Sequence, residues 1–134
     1  ALGADGVWTG SVWLTTAESD ARPEQLAKYL AATSSDTVRS KSYTGKPARM
    51  LRTSWTDAWE EDGAPPTLPM PLQNILISEA SARFARSGRM DEFFAPVGQV
   101  VGQMRRVRPV RDVVFSMIDD YLDAIERLNR TTGT

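Results

Sequence analysis

Residues 1–14 read ALGADGVWTGSVWL. Val7 and Trp8 lie between Gly6 and Gly10, an apolar pair bounded by turn formers, which predicts a short strand over residues 5–9. Gly10-Ser11 breaks that strand, and Val12-Trp13-Leu14 predicts a brief apolar helical turn. A lone strand of the parallel type cannot satisfy its own backbone hydrogen bonds. The stretch therefore implies a pairing partner, either in a longer polypeptide of which this chain is a fragment or in an obligate partner. Glycine at position 10 lets a backbone approach an anion closely, and the Ser11 amide and hydroxyl are both donors. An ordinary strand–turn junction carries the same Gly-x-x-x-Gly-Ser spacing, so the spacing alone leaves both readings open.

Outward from this stretch the chain turns helical. Residues 15–22 are polar and loop-like. Pro23 suits the first turn of a helix running to about Ala32, with Leu26, Tyr29 and Leu30 on one face. Residues 37–43, TVRSKSY, predict a short half-exposed strand, and Thr44-Gly45-Lys46-Pro47 a turn. Residues 48–58 predict a helix whose apolar set is Met50, Leu51, Trp55 and, just beyond, Trp59. Residues 60–71 hold Gly63 and four prolines and predict a loop. A further helix is expected from Leu72 to near Gly88. Residues 90–104 carry spaced apolar side chains interrupted by Gly98 and Gly102, glycines that suit close packing. Residues 109–129 predict a long amphipathic helix lined by Val110, Val113, Val114, Met117, Tyr121, Leu122, Ile125 and Leu128.

Composition narrows the chemistry. With 134 residues there is material for one domain with a core. The formal net charge of −1 argues against a general nucleic-acid or membrane-surface binder. No window approaches the roughly 18 apolar residues of a membrane span, and no basic stretch leads into an apolar run as in a signal peptide. A cytoplasmic location is expected on that ground. The chain contains neither Cys nor His. Disulfides, thiolate nucleophiles and sulfur-bound metals are thereby excluded, and the commonest general base and metal ligand is missing. Any chemistry must rest on carboxylates, Lys, Tyr or Ser, on a cofactor, or on residues of another stretch of polypeptide.

The segment Gly3-Ala4-Asp5-Gly6-Val7-Trp8-Thr9-Gly10-Ser11 resembles the barrel end of the FMN-dependent nitronate monooxygenases, once called 2-nitropropane dioxygenases. The resemblance extends through Ser35-Asp36-Thr37-Val38, through Thr44-Gly45-Lys46-Pro47-Ala48-Arg49, and to Gly98-Gln99 before the closing helix. It implies an α/β fold: the last strand of a TIM (β/α)8 barrel in residues 1–16, and an appended, mainly helical substrate-covering region in residues 17–134. It also implies FMN as cofactor, held by Trp8, Thr9, Gly10 and Ser11 where the loops after strands seven and eight form a phosphate site. Arg49, Lys46 and Gln99 are the substrate-binding candidates. The remaining barrel strands, and a His that commonly acts as base in the family, would belong to an upstream portion of the same protein. On this reading the chain alone holds no catalytic residue.

Two departures shape the expected substrate. Many members have Gln-Met or Gln-Val before the Gly-Thr and an Arg after it, where this chain has Trp8-Thr9 and Val12. The ending looks closer to a branch whose members act on CoA thioesters as enoyl reductases. Nitronate oxidation and enoyl-CoA reduction are thus both open, as is a non-catalytic helical interaction domain. Homo-oligomerisation is compatible with each.

The basic clusters are open to more than one reading. Arg39, Lys41, Lys46, Arg49 and Arg52 either clamp an anionic substrate or form a solvated face balanced by Glu60, Glu61 and Asp62. Arg105, Arg106, Arg108 and Arg111 crowd the start of the last helix, where the macrodipole disfavours cations. They imply an anion, an acidic partner or a plain exposed patch. Trp8 and Trp13 serve either barrel packing or flavin contact. Asp119, Asp120, Asp123 and Glu126 read as solvation of the last helix.

Overall fold

The computed structural model describes residues 4–133. Gly3, with which the matched motif begins, lies outside the described residues. The elements in chain order are α1 (Pro23–Ala31), β1 (Thr37–Ser40), β2 (Ala48–Leu51), α2 (Ser54–Ala58), α3 (Leu72–Arg86), α4 (Met90–Phe93) and α5 (Val110–Thr132). Three 3-10 turns, Ser11–Thr15, Ser34–Asp36 and Gln99–Gln103, join them. The described chain is mostly helical with one small sheet, and none of its helices is long and apolar enough to cross a membrane.

The strand expected over residues 5–9 is not formed. Val7 is 86% and Trp8 100% exposed. A strand persists only where a neighbour takes up its amides and carbonyls, and the one sheet among the described residues lies elsewhere. The 3-10 turn at Ser11–Thr15 follows as the apolar Val12-Trp13-Leu14 run predicts.

The helix expected over residues 48–58 is instead a strand followed by a short helix. β1 and β2 pair antiparallel, with Thr37 opposite Leu51 and Ser40 opposite Ala48. The intervening turn needs Gly45, whose φ is +80° and whose Cβ, if it had one, would meet the Leu68 carbonyl oxygen. The chain resumes helix only at Thr53, which caps α2: its hydroxyl accepts the Thr56 amide at 3.2 Å. The other edge of β2 is covered by residues 95–97. Leu51 N donates to Ala95 O at 2.9 Å and Val97 N to Arg49 O at 3.3 Å.

Two apolar clusters result. Tyr29, Ala32, Leu51, Ala95, Val97, Val101 and Met104 form one, with Leu14 packed against it. Burial of the Tyr29 phenol pushes its pKa up to about 12, since the charged form is the one desolvation penalises. The other cluster is aromatic and centres on Phe93. Gly102 permits the close crossing of two 3-10 turns, because any Cβ there would strike Ser34. Ser34 Oγ donates to the Gln99 carbonyl at that crossing, at 2.7 Å.

Gln73 is fully buried at the start of α3. Its Oε1 accepts the Leu68 amide at 2.9 Å and its Nε2 donates to the Ser42 carbonyl at 2.9 Å. One amide side chain thereby ties the proline-rich loop to the hairpin. Gln73→Leu keeps the volume and orphans both backbone groups, so we expect a loss of about 1–3 kcal/mol in urea unfolding.

α3 and α5 leave apolar side chains uncovered. Leu72, Ile75 and Leu76 on α3, and Val114, Ile118, Tyr121 and Leu128 on α5, are all exposed. The last four repeat at intervals of four, three and seven residues, the spacing of a helix face meant to pack.

Candidate functional site

The 3-10 turn at Ser11–Thr15 is braced from both sides. The Trp13 indole N–H donates to Thr9 O at 3.1 Å, fixing the approach to Gly10. Gly98 N donates to Ser11 Oγ at 2.9 Å, so the hydroxyl oxygen is engaged and its proton is free to be donated elsewhere. Gly10 has nothing within 4 Å of where a Cβ would stand, leaving open space beside the turn.

That turn forms one wall of a cavity of about 590 Å³. Trp8, Thr9, Gly10 and Ser11 line it, and so do Arg105, Arg106 and Arg108 from the loop before α5. Apolar contributions come from Val100, Met104, Val113 and Met117, and Asp120 is the carboxylate in the lining. Arg108 Nη2 is turned back to the Asp112 carbonyl at 2.7 Å. Arg105 and Arg106 have no carboxylate partner among the described residues. The arginine loop is stitched to the turn by a parallel bridge between Thr16 and Arg108, with Ala17 N donating to Arg108 O at 3.0 Å.

A second, shallower concavity of about 310 Å³ shares Gly10 and Ser11 and adds Arg49, Val97 and Gly98. Arg49 Nη1 donates to Thr37 Oγ1 at 2.9 Å. The structure therefore gathers Trp8, Thr9, Gly10, Ser11 and Arg49 around one turn. Lys46 is not with them: its turn is held against the 68–70 segment through Gly45. Gln99 is exposed and absent from both cavities, its carbonyl engaged by Ser34, and Gln103 one helical turn on lines the large cavity instead. Arg105 and Arg106 are exposed and Arg108 is half-buried, and all three line the large cavity.

The carboxylates whose acidity is shifted lie away from this cavity. Burial raises the Glu92 carboxyl, but hydrogen bonds from Lys28 and Ser54 outweigh it and hold the group below its ordinary range. Asp36 is held low by the backbone and side chain of Thr33. Among the described residues no cluster of acidic groups could hold a metal ion.

The donor set fits a phosphate ester carrying an apolar body. A hydroxyl with its proton to give, a glycine with open space and the Arg105 and Arg106 guanidinium groups line the same cavity as aliphatic and thioether surface.

Comparison with known proteins bears on what that ligand is. The sequence profile of the nitronate monooxygenase family matches residues 1–120. Rv1533 of Mycobacterium tuberculosis, a protein named as a monooxygenase, is 51% identical over 136 residues, which cover 96% of this chain and 36% of that protein. A Bacillus subtilis protein named for nitronate monooxygenase is 30% identical over 119 residues, 89% of this chain and 34% of its own length. Among solved structures, FabK from Thermotoga maritima superposes with a TM-score of 0.67 at 26% identity, covering 90% of this chain and 38% of that one. The chain spans about a third of the length of the curated relatives it matches.

Proposed function

Because this chain belongs to the nitronate monooxygenase family, we propose that it supplies the phosphate-binding end and the substrate cover of an FMN-dependent oxidoreductase. Residues 1–16 would complete a TIM barrel contributed by an upstream part of the same polypeptide, and residues 17–134 would cover the substrate. The observation that carries this reading is the single cavity in which the Gly10-Ser11 turn meets the unpaired Arg105 and Arg106.

In that cavity the Ser11 hydroxyl and the first free amides of the turn donate to the phosphate oxygens. Arg105 and Arg106 neutralise the phosphate charge. Met104, Val113 and Met117 exclude water from the apolar part of the ligand. Bound FMN supplies the electron acceptor for oxidation of the substrate. The proton acceptor for that oxidation is assigned to the upstream portion, where the family commonly carries a His. The exposed Val7 and Trp8 and the uncovered stripe on α5 give the same barrel a surface to pack against.

Flavin fluorescence titration tests the division of labour. The full-length protein is expected to hold FMN stoichiometrically and the isolated 134-residue chain to hold it weakly or not at all. Tight stoichiometric binding by the isolated chain would sink the shared site, and a full-length protein that takes up no flavin would sink the cofactor.

The favoured substrate class is a nitronate, oxidised at the carbon bearing the nitrogen. A second reading, reduction of an unsaturated acyl-CoA, is favoured by the surplus of cations. Arg49 and the two unpaired loop arginines exceed what one phosphate monoester needs. Assay of the full-length protein with a nitronate and with an unsaturated acyl-CoA separates the two.

A further inference from the structure

The start of α5 poses an electrostatic problem that the fold answers from far away in sequence. Four arginines crowd a helix N-terminus, where the backbone dipole is already positive. Pro109 stands at the cap position and has no side-chain acceptor to offer the first free amide, that of Val110. Glu18 fills the role. Its Oε2 accepts the Val110 N–H at 2.9 Å, across a sequence separation of 92 residues.

Glu18 lies immediately beyond the Thr15–Ala17 segment that forms the bridge to Arg108. Arg108 N donates to Thr15 O at 3.3 Å and Ala17 N to Arg108 O at 3.0 Å. Thr15 and Thr16 are buried, and Thr16 Oγ1 donates to Trp13 O at 2.8 Å, which continues the link into the turn itself. The loop bearing Arg105 and Arg106 is therefore clamped at its C-terminal end by two backbone bonds and one carboxylate. Arg108 adds a bond from its own side chain to the Asp112 carbonyl at 2.7 Å, whereas Arg105 and Arg106 have no ion-pair partner among the described residues.

We propose that Glu18 is a positioning residue for the anion pocket: a carboxylate latch that caps α5 and thereby holds the Arg105–Arg106 loop against the Gly10-Ser11 turn. This rests on the reading of the pocket as a phosphate site. Glu18 is not in the pocket lining. It acts through the geometry of its neighbours, and anion affinity depends on a residue that the anion never touches. The latch also accounts for the crowding of arginines at a helix start, since the capping carboxylate offsets their charge while leaving two of them free for the ligand.

The test compares FMN affinity in the full-length protein and three variants at a temperature well below unfolding. Glu18→Ala is expected to weaken FMN about fivefold, the equivalent of one lost helix cap, and Glu18→Gln, which retains an acceptor oxygen, to return it to within about twofold of the parent. Faster hydrogen exchange at the Val110 amide in Glu18→Ala alone should accompany the loss. If Glu18→Ala does not accumulate, Glu18→Asp, with its retracted carboxylate, is expected to show the same weakening. Unchanged FMN affinity in Glu18→Ala, with weakened affinity in an Arg105→Glu/Arg106→Glu double variant, overturns the latch and leaves the pocket standing. Unchanged affinity in the arginine variant overturns the pocket reading itself.

Discussion

Phe93→Ala is expected to lower the unfolding free energy of the domain by about 3–5 kcal/mol, the range for deleting a large buried aromatic side chain. Phe93 is 0% exposed. Its ring stands 4.7 Å from Trp55, 5.1 Å from Phe84 and 5.8 Å from Tyr43, centroid to centroid. These three neighbours come from α2, α3 and the end of the hairpin. One side chain on the short helix α4 therefore touches all three, beside the direct Trp55–Phe84 contact at 6.0 Å. Truncation leaves a cavity whose walls are themselves rigid rings, and rings collapse poorly into a void. Chemical denaturation monitored by tryptophan fluorescence measures the loss and its locality together, because Trp55 would change its surroundings. A loss under 1 kcal/mol would show that the cluster repacks, and the picture of Phe93 as the joint would be wrong.

The second large effect is on binding. Reversing both charges in Arg105→Glu/Arg106→Glu is expected to weaken FMN about 100-fold or more, since each charged hydrogen bond is worth roughly 1.5–3 kcal/mol. Stability should change by no more than about 0.5 kcal/mol, as expected for exposed positions without structural partners. That contrast separates a binding defect from a folding defect. Raising the salt concentration should weaken the parent's affinity and slightly strengthen the variant's, because salt screens an attraction in the one and the repulsion of two introduced carboxylates in the other. Equilibrium titration of the full-length protein at two ionic strengths reads both.

How far the sequence discloses the molecule depends on where each element's determinants sit. α1 is legible from Pro23 and its apolar face, α3 from the run that begins at Leu72, and α5 from a period sustained over six turns. Their signals are local. β2 is misread as helix because Met50, Leu51, Trp55 and Trp59 mimic a helical spacing. The partner that makes Ala48–Leu51 a strand is β1, together with residues 95–97 on the other edge, and neither is encoded in the segment itself. The strand over residues 5–9 fails for the converse reason. Its pattern suits a strand, but among the described residues nothing pairs with it.

The same distinction governs the site. The Gly10-Ser11 turn is readable, because a glycine followed by a hydroxyl has a local meaning. The arginine cluster before α5 is visible as an oddity but its destination is not. Gln99 lies outside the cavities lined by the Ser11 turn and Gln103 lines the larger one, and nothing in the order of residues 98–103 says which of them faces the turn. Lys46 is drawn away by the Gly45 turn. Glu18 and Gln73 escape notice altogether. Each is an ordinary polar residue whose role is set by a backbone amide or carbonyl remote in sequence.

The bond from Gly98 to Ser11 spans 87 residues and that from Val110 to Glu18 spans 92. During synthesis β1 and β2 can pair with each other as soon as they emerge, whereas the other edge of β2 waits for residues 95–97 and the Ser11 turn for residues 98–110 to leave the ribosome. Contacts this distant in sequence form late, after the loop-closure entropy has been met. The cavity beside the Ser11 turn is thus among the last parts of the described chain to form. A nascent chain stopped anywhere before Val110 would carry its aromatic cluster without that cavity, so nothing that binds there could select or rescue the fold until almost all of the described chain had been made.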